Sequence, residues 1–470
     1  MKKLLLLIIL FSLIADFSFS QVTFDSVWVR THDNGLAPAW FTDGSEVAIG
    51  DPSFAASERG IVYSAYSGHV YVSSRHAEDT DGDEVIDTPQ PHVYVLDPKT
   101  GEAPAFGVSQ LLTQGITSAN ENYGGGYPMN NVTTTVDGSI FACNMTLASG
   151  PPITIGEYEL IKAFRVYRWD WEQGEPAMII DYDEGGYRLG DKFTVTGDWT
   201  TEAYIYAVPG ESTKILRWKV TAGVVDAEPT FITMQDIASA GTSPTVAPVP
   251  GKSDWIYVSG KGFMPTLFNT DGTNLTQVAI TAGNMPSSLI AGRIIEFGGK
   301  QYMGMFSGDQ SAFVFEISKH GENVTDADII GFTPTFGTKY DNAYGEGAIE
   351  FGVIDDSLQI FICAPTNGIA CYEIRGLDII ASIKRELTDE YNVSVYPNPA
   401  TDFARVRFTL PQDATGPVSV KLYDLSGKFI SIIADKAVPG KQEISINTSQ
   451  LPSGTYIYQL VYGSKVNKGK

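Results

Sequence analysis

Gln359-Ile360-Phe361-Ile362-Cys363-Ala364-Pro365-Thr366-Asn367-Gly368-Ile369-Ala370-Cys371-Tyr372 reads as two apolar strands joined by a turn. β-Branched and aromatic residues fill both runs, and Pro, Asn and Gly supply the backbone geometry that a tight reversal needs. Five earlier pairs have the same form. Their first strands are His69-Val70-Tyr71-Val72, Ser139-Ile140-Phe141-Ala142, Ala203-Tyr204-Ile205-Tyr206, Trp255-Ile256-Tyr257-Val258 and Gln301-Tyr302-Met303-Gly304. Their second strands are Val93–Leu96, Arg165–Arg168, Ile215–Trp218, Pro265–Phe268 and Phe313–Glu316. Turn dipeptides Asp137-Gly138, Asp271-Gly272 and Gly298-Gly299 punctuate the series, and periodic helical segments are absent.

Successive first strands fall about 45 to 70 residues apart, the spacing of propeller blades with loop insertions. The last unit lacks an outer strand, and Thr23-Phe24-Asp25-Ser26-Val27-Trp28-Val29 is free to supply it. Closure of that kind removes the exposed edges that an open array of strands would leave. The expected fold is all-β: a β-propeller of six blades followed by a small C-terminal β-sandwich. Seven blades, with Gly44 to Gly50 in an extra unit, is the alternative.

The expected divisions are a signal peptide at 1–20, a propeller at 21–376, a linker at 377–392 and a C-terminal domain at 393–470. Lys2-Lys3, the apolar run Leu4 to Leu13 and Ser18-Phe19-Ser20 before Gln21 have the form of a cleaved export signal. No other apolar run approaches the length of a membrane-spanning helix. The linker holds the charged run Ile383 to Glu390.

The formal net charge is −23. The segment from Val393 carries nine basic and five acidic residues and the first twenty residues carry +1, so the remainder holds −28. Such a surface repels phosphate backbones, which argues against nucleic acid as the partner. Cys143, Cys363 and Cys371 are too few for a disulfide framework. The last two flank the Pro365–Gly368 turn, so a cross-strand bond and two buried thiols both fit.

Asp79-Thr80-Asp81-Gly82-Asp83-Glu84-Val85-Ile86-Asp87 sets carboxylates at alternate positions around a Gly. Oxygen ligands in a flexible loop suit Ca²⁺, with Asp79, Asp81, Asp83 and Asp87 giving carboxylates and Val85 a backbone carbonyl. The run is similar to thrombospondin type 3 loops and, less closely, to EF-hands. It departs from the latter in the early Gly and in Gln90 at the twelfth position. A solvated acidic loop is the plainer reading.

His32, His69, His76 and His92 cluster early in the chain, without the spacing of a zinc motif. Trp169, Trp171, Trp199, Trp218 and Trp255 are a supply of rings for sugar stacking, although aromatics on strands more often fill the core. Tyr123 to Pro128 is a Gly-rich, aromatic-tipped loop that could border a mouth. No nucleophile elbow, phosphate loop or dinucleotide fingerprint is present.

In the tail, Ala404 to Leu410 and Val418 to Leu422 alternate strictly, and Phe429–Ile433, Glu443–Ile446 and Gly454–Leu460 read as further strands. Three motifs occur in order: Tyr396-Pro397-Asn398-Pro399, then Leu422-Tyr423-Asp424-Leu425-Ser426-Gly427-Lys428, then Leu451-Pro452-Ser453-Gly454-Thr455-Tyr456. Together they resemble the C-terminal sorting domain of the bacterial type IX secretion system, with Tyr396, Pro397, Asn398, Pro399, Gly427, Lys428, Gly454 and Tyr456 on the motif positions. The resemblance implies export across the outer membrane to the surface or medium, with the secretion machinery as partner. Family members usually continue a few residues beyond the equivalent of Lys470 into a final strand.

The functional expectation is a secreted or surface-displayed propeller that binds a glycan or a surface protein without catalysis. The alternative is an extracellular carbohydrate-active lyase or hydrolase with its site at the propeller mouth.

Overall fold

The structure is a computed structural model. It describes residues 22–42, 58–75, 77–78, 88–89, 91–105, 107–114, 116, 127–146, 154–155, 158–159, 163–183, 186–277, 289–319, 328–340, 342, 345–377, 393–412, 417–424, 429–436, 438–449, 451–452, 454, 456–462 and 465–469.

Between residues 23 and 375 the described residues form six sheets of three to five strands, each an antiparallel meander. The first holds Glu58–Tyr63, Val70–Ser74 and His92–Leu96, extended by a bridge from Tyr94 to Gln110. The second holds Tyr127–Thr134, Ile140–Met145, Phe164–Trp169 and Ala177–Tyr182. The third runs through Phe193–Asp198, Glu202–Ala207 and Lys214–Thr221, with Val224–Val225 and Thr230–Thr233 on its outer edge. The fourth is Thr242–Pro248, Trp255–Lys261, Phe263–Asn269 and Asn274–Gln277; the fifth is Leu289–Phe297, Lys300–Ser307, Ser311–Glu316 and Ile329–Phe332. The sixth is Ala348–Ile354, Ser357–Ala364 and Gly368–Arg375, with Thr23–Thr31 as its outermost strand.

The six sheets pack in a cycle. The first strand of each lies against the first strand of the next, and Ala348–Ile354 returns to Glu58–Tyr63. Six apolar clusters fill the gaps between neighbours. Phe141, Phe164, Leu216 and Trp218 join the second sheet to the third. Ile61, Val72 and Leu96 with Phe361, Cys363 and Cys371 join the first to the sixth. Each sheet therefore buries both faces, which explains why its middle strands are apolar throughout instead of alternating.

The N-terminal strand adds to this closure. It pairs antiparallel with Gly368–Arg375, from Thr23 opposite Arg375 to Thr31 opposite Gly368. It also reaches the first sheet: the Trp28 indole donates to the Pro98 carbonyl at 2.8 Å, and Arg30 donates to the Thr100 carbonyl and to Glu102. Gly101 permits this approach, because a side chain there would meet the Trp28 ring at 2.7 Å.

The hairpin around Pro365–Gly368 forms as the turn residues require. Its register sets Cys363 opposite Ile369 and Cys371 opposite Phe361, so the two thiols do not face one another. All three cysteines are free and buried. Burial pushes their thiols up, away from the reactive thiolate form.

The tail forms two further sheets. One holds Ser394–Tyr396, Phe403–Leu410 and Gly440–Asn447, and the other Phe429–Lys436, Pro417–Asp424, Tyr456–Tyr462 and Lys465–Gly469. Val406, Phe408, Val418, Val420, Ile444 and Leu460 share one apolar cluster between them. Lys465–Gly469 pairs along Tyr458–Tyr462, so a final strand is already present within the chain. Among the described residues no helix is long and apolar enough to cross a membrane.

Candidate functional site

The first strand of each sheet is joined to the second by a short turn: residues 64–69, 135–139, 199–201, 249–254, 298–299 and 355–356. The opposite end of these strands is different. There the chain takes up left-handed backbone next to buried polar residues. Met129, Ser243 and Ala291 have φ near 49°, 47° and 55°, at about 1–2 kcal/mol each for a residue with a side chain. Gly190 and Gly345 occupy the equivalent places before the third and sixth sheets. Gly190 has no alternative, because a side chain there would fall 1.8 Å from the Asn144 carbonyl. Register shifts at Glu58/Gly60, Tyr127/Asn131, Thr242/Thr245 and Ile290/Arg293 place four bulges at the same level. A bulge turns successive side chains off the regular alternation, which is how polar groups come to line this end.

Those groups meet across the ring. Lys192, 1% exposed, donates from Nζ to the Arg59 carbonyl at 3.1 Å, spanning from the third sheet to the first. Burial lowers its ammonium pKa, while the charges of Glu346 and Asp191 act to raise it. Glu346, ahead of the sixth sheet, accepts a short hydrogen bond from the Ser243 hydroxyl. Burial works to raise its pKa, but Lys192, Arg59 and Arg188 together hold the carboxyl below its ordinary value. Asp191 takes two hydrogen bonds from Arg188, at 2.7 and 2.6 Å. Glu350 pairs with Arg293 at 3.3 Å. Asn130 donates to the carbonyls of Gly190 and Asp191.

Glu58 anchors the rim. It accepts hydrogen bonds from the Thr42 amide and hydroxyl and from the Ser74 hydroxyl, and burial raises its pKa to about 7. Through Thr42 it is tied to an arc of rings at the same end. Tyr340 meets His32 edge-on at 5.5 Å, His32 lies 6.1 Å from Phe41, and Phe41 is 5.8 Å from Trp40. Trp40 stacks on Tyr94 at 3.9 Å, and Tyr94 lies 5.4 Å from His92.

The histidines go to different places. His32 and His92 belong to the arc, and His92 also bonds Gln110 at 2.6 Å. His69 sits at the short-turn end, where its Nδ1 and the Tyr71 hydroxyl both reach Glu172 at 2.6 Å, joining the first sheet to the second. His76 lies outside the described residues. Trp169, Trp199 and Trp218 are buried core, as aromatics on strands usually are, while Trp171 is exposed in a turn. Asp79, Asp81, Asp83, Val85 and Asp87 lie outside the described residues, between the paired segments Ala77–Glu78 and Thr88–Pro89. Residues 123–126 lie outside them too. Among the described residues no cluster of three or more His, Cys, Asp or Glu could hold a metal.

In the tail, the Tyr396 hydroxyl contacts Glu443 and Arg407, and Tyr456 donates to the Pro452 carbonyl at 2.7 Å. Pro397 and Pro399 follow cis peptide bonds. Gly454 is among the described residues, whereas Gly427 and Lys428 lie outside them. Residues 394–470 match the family described as the secretion system C-terminal sorting domain. The tail is a sorting domain. It directs export through the type IX secretion system to the cell surface or extracellular space.

Ahead of the sorting domain, residues 132–289 match a domain of unknown function, DUF8500. That span starts inside the first strand of the second sheet and stops at the first residue of the fifth. No curated protein matches the chain. Among solved structures, it is similar to a DUF4623 family protein from Bacteroides eggerthii: 16% identity over 76% of this chain and 75% of that one, TM-score 0.51. A GH43 β-xylosidase/α-arabinofuranosidase from a compost microbial metagenome aligns at 12% identity, over 52% and 89% of the two chains, TM-score 0.33. A GH43_1 enzyme from Xanthomonas citri aligns at 9% identity, over 50% and 84%, TM-score 0.31. The first likeness supports a shared all-β, propeller-like fold ahead of the sorting domain, and no shared activity.

Proposed function

We propose that this chain is an exported six-bladed β-propeller that binds its target at the bulged end of the ring, without catalysis of its own. In this reading a signal peptide occupies 1–20, the propeller 21–376, a linker 377–392, and a β-sandwich sorting domain 393–470. One observation carries the binding reading. The four buried or half-buried carboxylates at that end, Glu58, Asp191, Glu346 and Glu350, are each held by a cation or by hydroxyl and amide donors. A glycosidase or lyase needs a carboxyl free to exchange a proton with substrate. These are committed to holding side chains in place.

The rings from Tyr340 to His92 supply apolar, hydrogen-bonding edges beside that end, which suits a glycan or a surface protein. The test is a glycan-array and surface-protein pull-down with the exported protein, run beside a turnover assay on a polysaccharide panel. Retention that falls in Trp40→Ala, with no turnover, is the expected result. Turnover abolished by Glu346→Gln would overturn the reading. The Asp79–Asp87 loop is proposed as a structural Ca²⁺ loop. A chelator should lower the melting temperature, and Asp81→Ala should remove the chelator effect. An unchanged melting curve would refute the calcium assignment.

A further inference from the structure

We propose that the sorting domain docks on its own ring, setting the outward face of its four-stranded sheet against the short-turn end beside Tyr63 and Asp355. The contact lies away from the bulged end and is independent of what that end binds.

The two outward faces of the tail differ in kind. Side chains alternate along a strand, so in a pair of packed sheets one set fills the core and the other meets water. The three-stranded sheet turns Arg405, Arg407 and Glu443 outward, and both arginines pair with the carboxylate. In the four-stranded sheet Val418, Val420 and Leu422 point into the core. The set between them is Lys421, opposite Ile432, and Tyr423, opposite Ile457, with Val461 beside them opposite Ser419. Lys421, Tyr423, Ile432, Ile457 and Val461 are all half-buried. An outward face of that composition is a contact surface rather than a solvated one.

The path of the chain brings the tail to the short-turn end. Ala348–Ile354 ends at the turn 355–356, and Gly368–Arg375 runs in the same direction, so the chain leaves the ring beside that turn. The fifteen residues 378–392 reach about 50 Å at full stretch, so the tether permits a contact there without imposing one. Charge favours it as well. The segment from Val393 has nine basic and five acidic residues, hence +4, against −28 for the chain ahead of it, and the two attract.

Residues of the two parts also act on one another. Lys99, in the turn after His92–Leu96, bridges the first sheet to Asp355 of the sixth at 2.6 Å. Burial lowers the Lys421 ammonium pKa, while the Asp355 charge acts to raise it and the Lys99 charge lowers it further. Burial pushes the Tyr423 hydroxyl up to about 12, and Asp355 adds to the rise. Tyr63, the last residue of the first strand of the ring, is raised by burial above all, then by Tyr423 and Asp355. Through salt water such influences fade over about 10 Å. Lys421 and Tyr423 therefore share one neighbourhood with Tyr63, Lys99 and Asp355. An apolar face edged by a lysine meets a turn edged by an aspartate, a modest contact that orients the tail and leaves the bulged end open.

The experiment treats the full chain, at low concentration, with a short amine-reactive cross-linker, and reads the monomeric fraction by mass spectrometry after digestion. A link between Lys99 and Lys421 is the expected product. Ile457→Asp sets a charge in the contact face, and should lower the yield of that link several-fold and lengthen the particle in small-angle X-ray scattering. Asp355→Asn acts from the ring side and leaves the tail as it is. Its φ of 48° suits Asn as well as Asp, and it should lower the yield too. Absence of the Lys99–Lys421 link from the monomer would overturn the proposal. A link found only in a dimer would overturn it by assigning the face to contact between copies. Full yield in either variant would overturn it as well, because the tether alone would then be bringing the lysines together. Retention in Trp40→Ala reads the bulged end separately, so failure of one reading leaves the other standing.

Discussion

Glu58 lies wholly inside the protein, with both carboxylate oxygens engaged by Thr42 and Ser74. Desolvation nevertheless dominates, and its pKa rises from 4.5 to about 7. The folded state therefore holds the proton more tightly than the unfolded chain. Stability from this group is full below pH 4.5 and is lost as the pH rises through 7. Glu58→Gln keeps the shape and the acceptor for Thr42 while removing the charge. Urea unfolding at pH 4.5 and pH 8 should show the wild type losing roughly 3 kcal/mol through this group, and the variant losing none of it. Nothing in the local sequence of Glu58, Lys192 or Glu346 sets them apart from the many other charged residues of an acidic chain. For Glu58 the partners are Thr42 and Ser74, sixteen residues to either side, while for Lys192 and Glu346 they are far away in sequence and only the closed ring supplies them.

At the scale of strands, the pairs legible in the sequence were the second and third strands of all six sheets. Those strands are buried on both faces, so a run such as Trp255–Val258 or Phe313–Glu316 is apolar without interruption. The first strands escaped notice for the opposite reason. Asn130-Asn131, Asp191-Lys192 and Ser243-Pro244 look like turn chemistry, yet they belong to or border strands whose side chains face the ring. The site is thus built from the elements whose composition disguises them. The outer strand contributed by Thr23–Thr31 was legible, because a unit without a partner needs one. Trp28→Ala removes a buried ring and the bond to Pro98, and should cost about 3–5 kcal/mol, read as a fall in urea midpoint. A change near zero would mean that this strand is not what holds the first and sixth sheets together.

The whole molecule divides its tasks. The sorting domain carries its own apolar cluster around Val406 and Leu460, separate from the six that bind the ring. Deleting residues 393–470 should leave the melting temperature of the remainder within a few degrees and leave the protein in the periplasm. Cell fractionation with a surface-accessibility assay reads the second outcome, and normal display of the truncated chain would contradict it. The three tail motifs made the destination legible because they are local and ordered. The candidate site was not, since it is composed of strands drawn from the length of the chain.

The pairing of Thr23–Thr31 with Gly368–Arg375 also fixes a schedule. The strand made first finds its place only beside a strand made after every sheet between them. Until then the sixth sheet lacks its outer strand, and the apolar contacts between first and sixth sheets cannot form. Loops that long make the closing step slow and place it last.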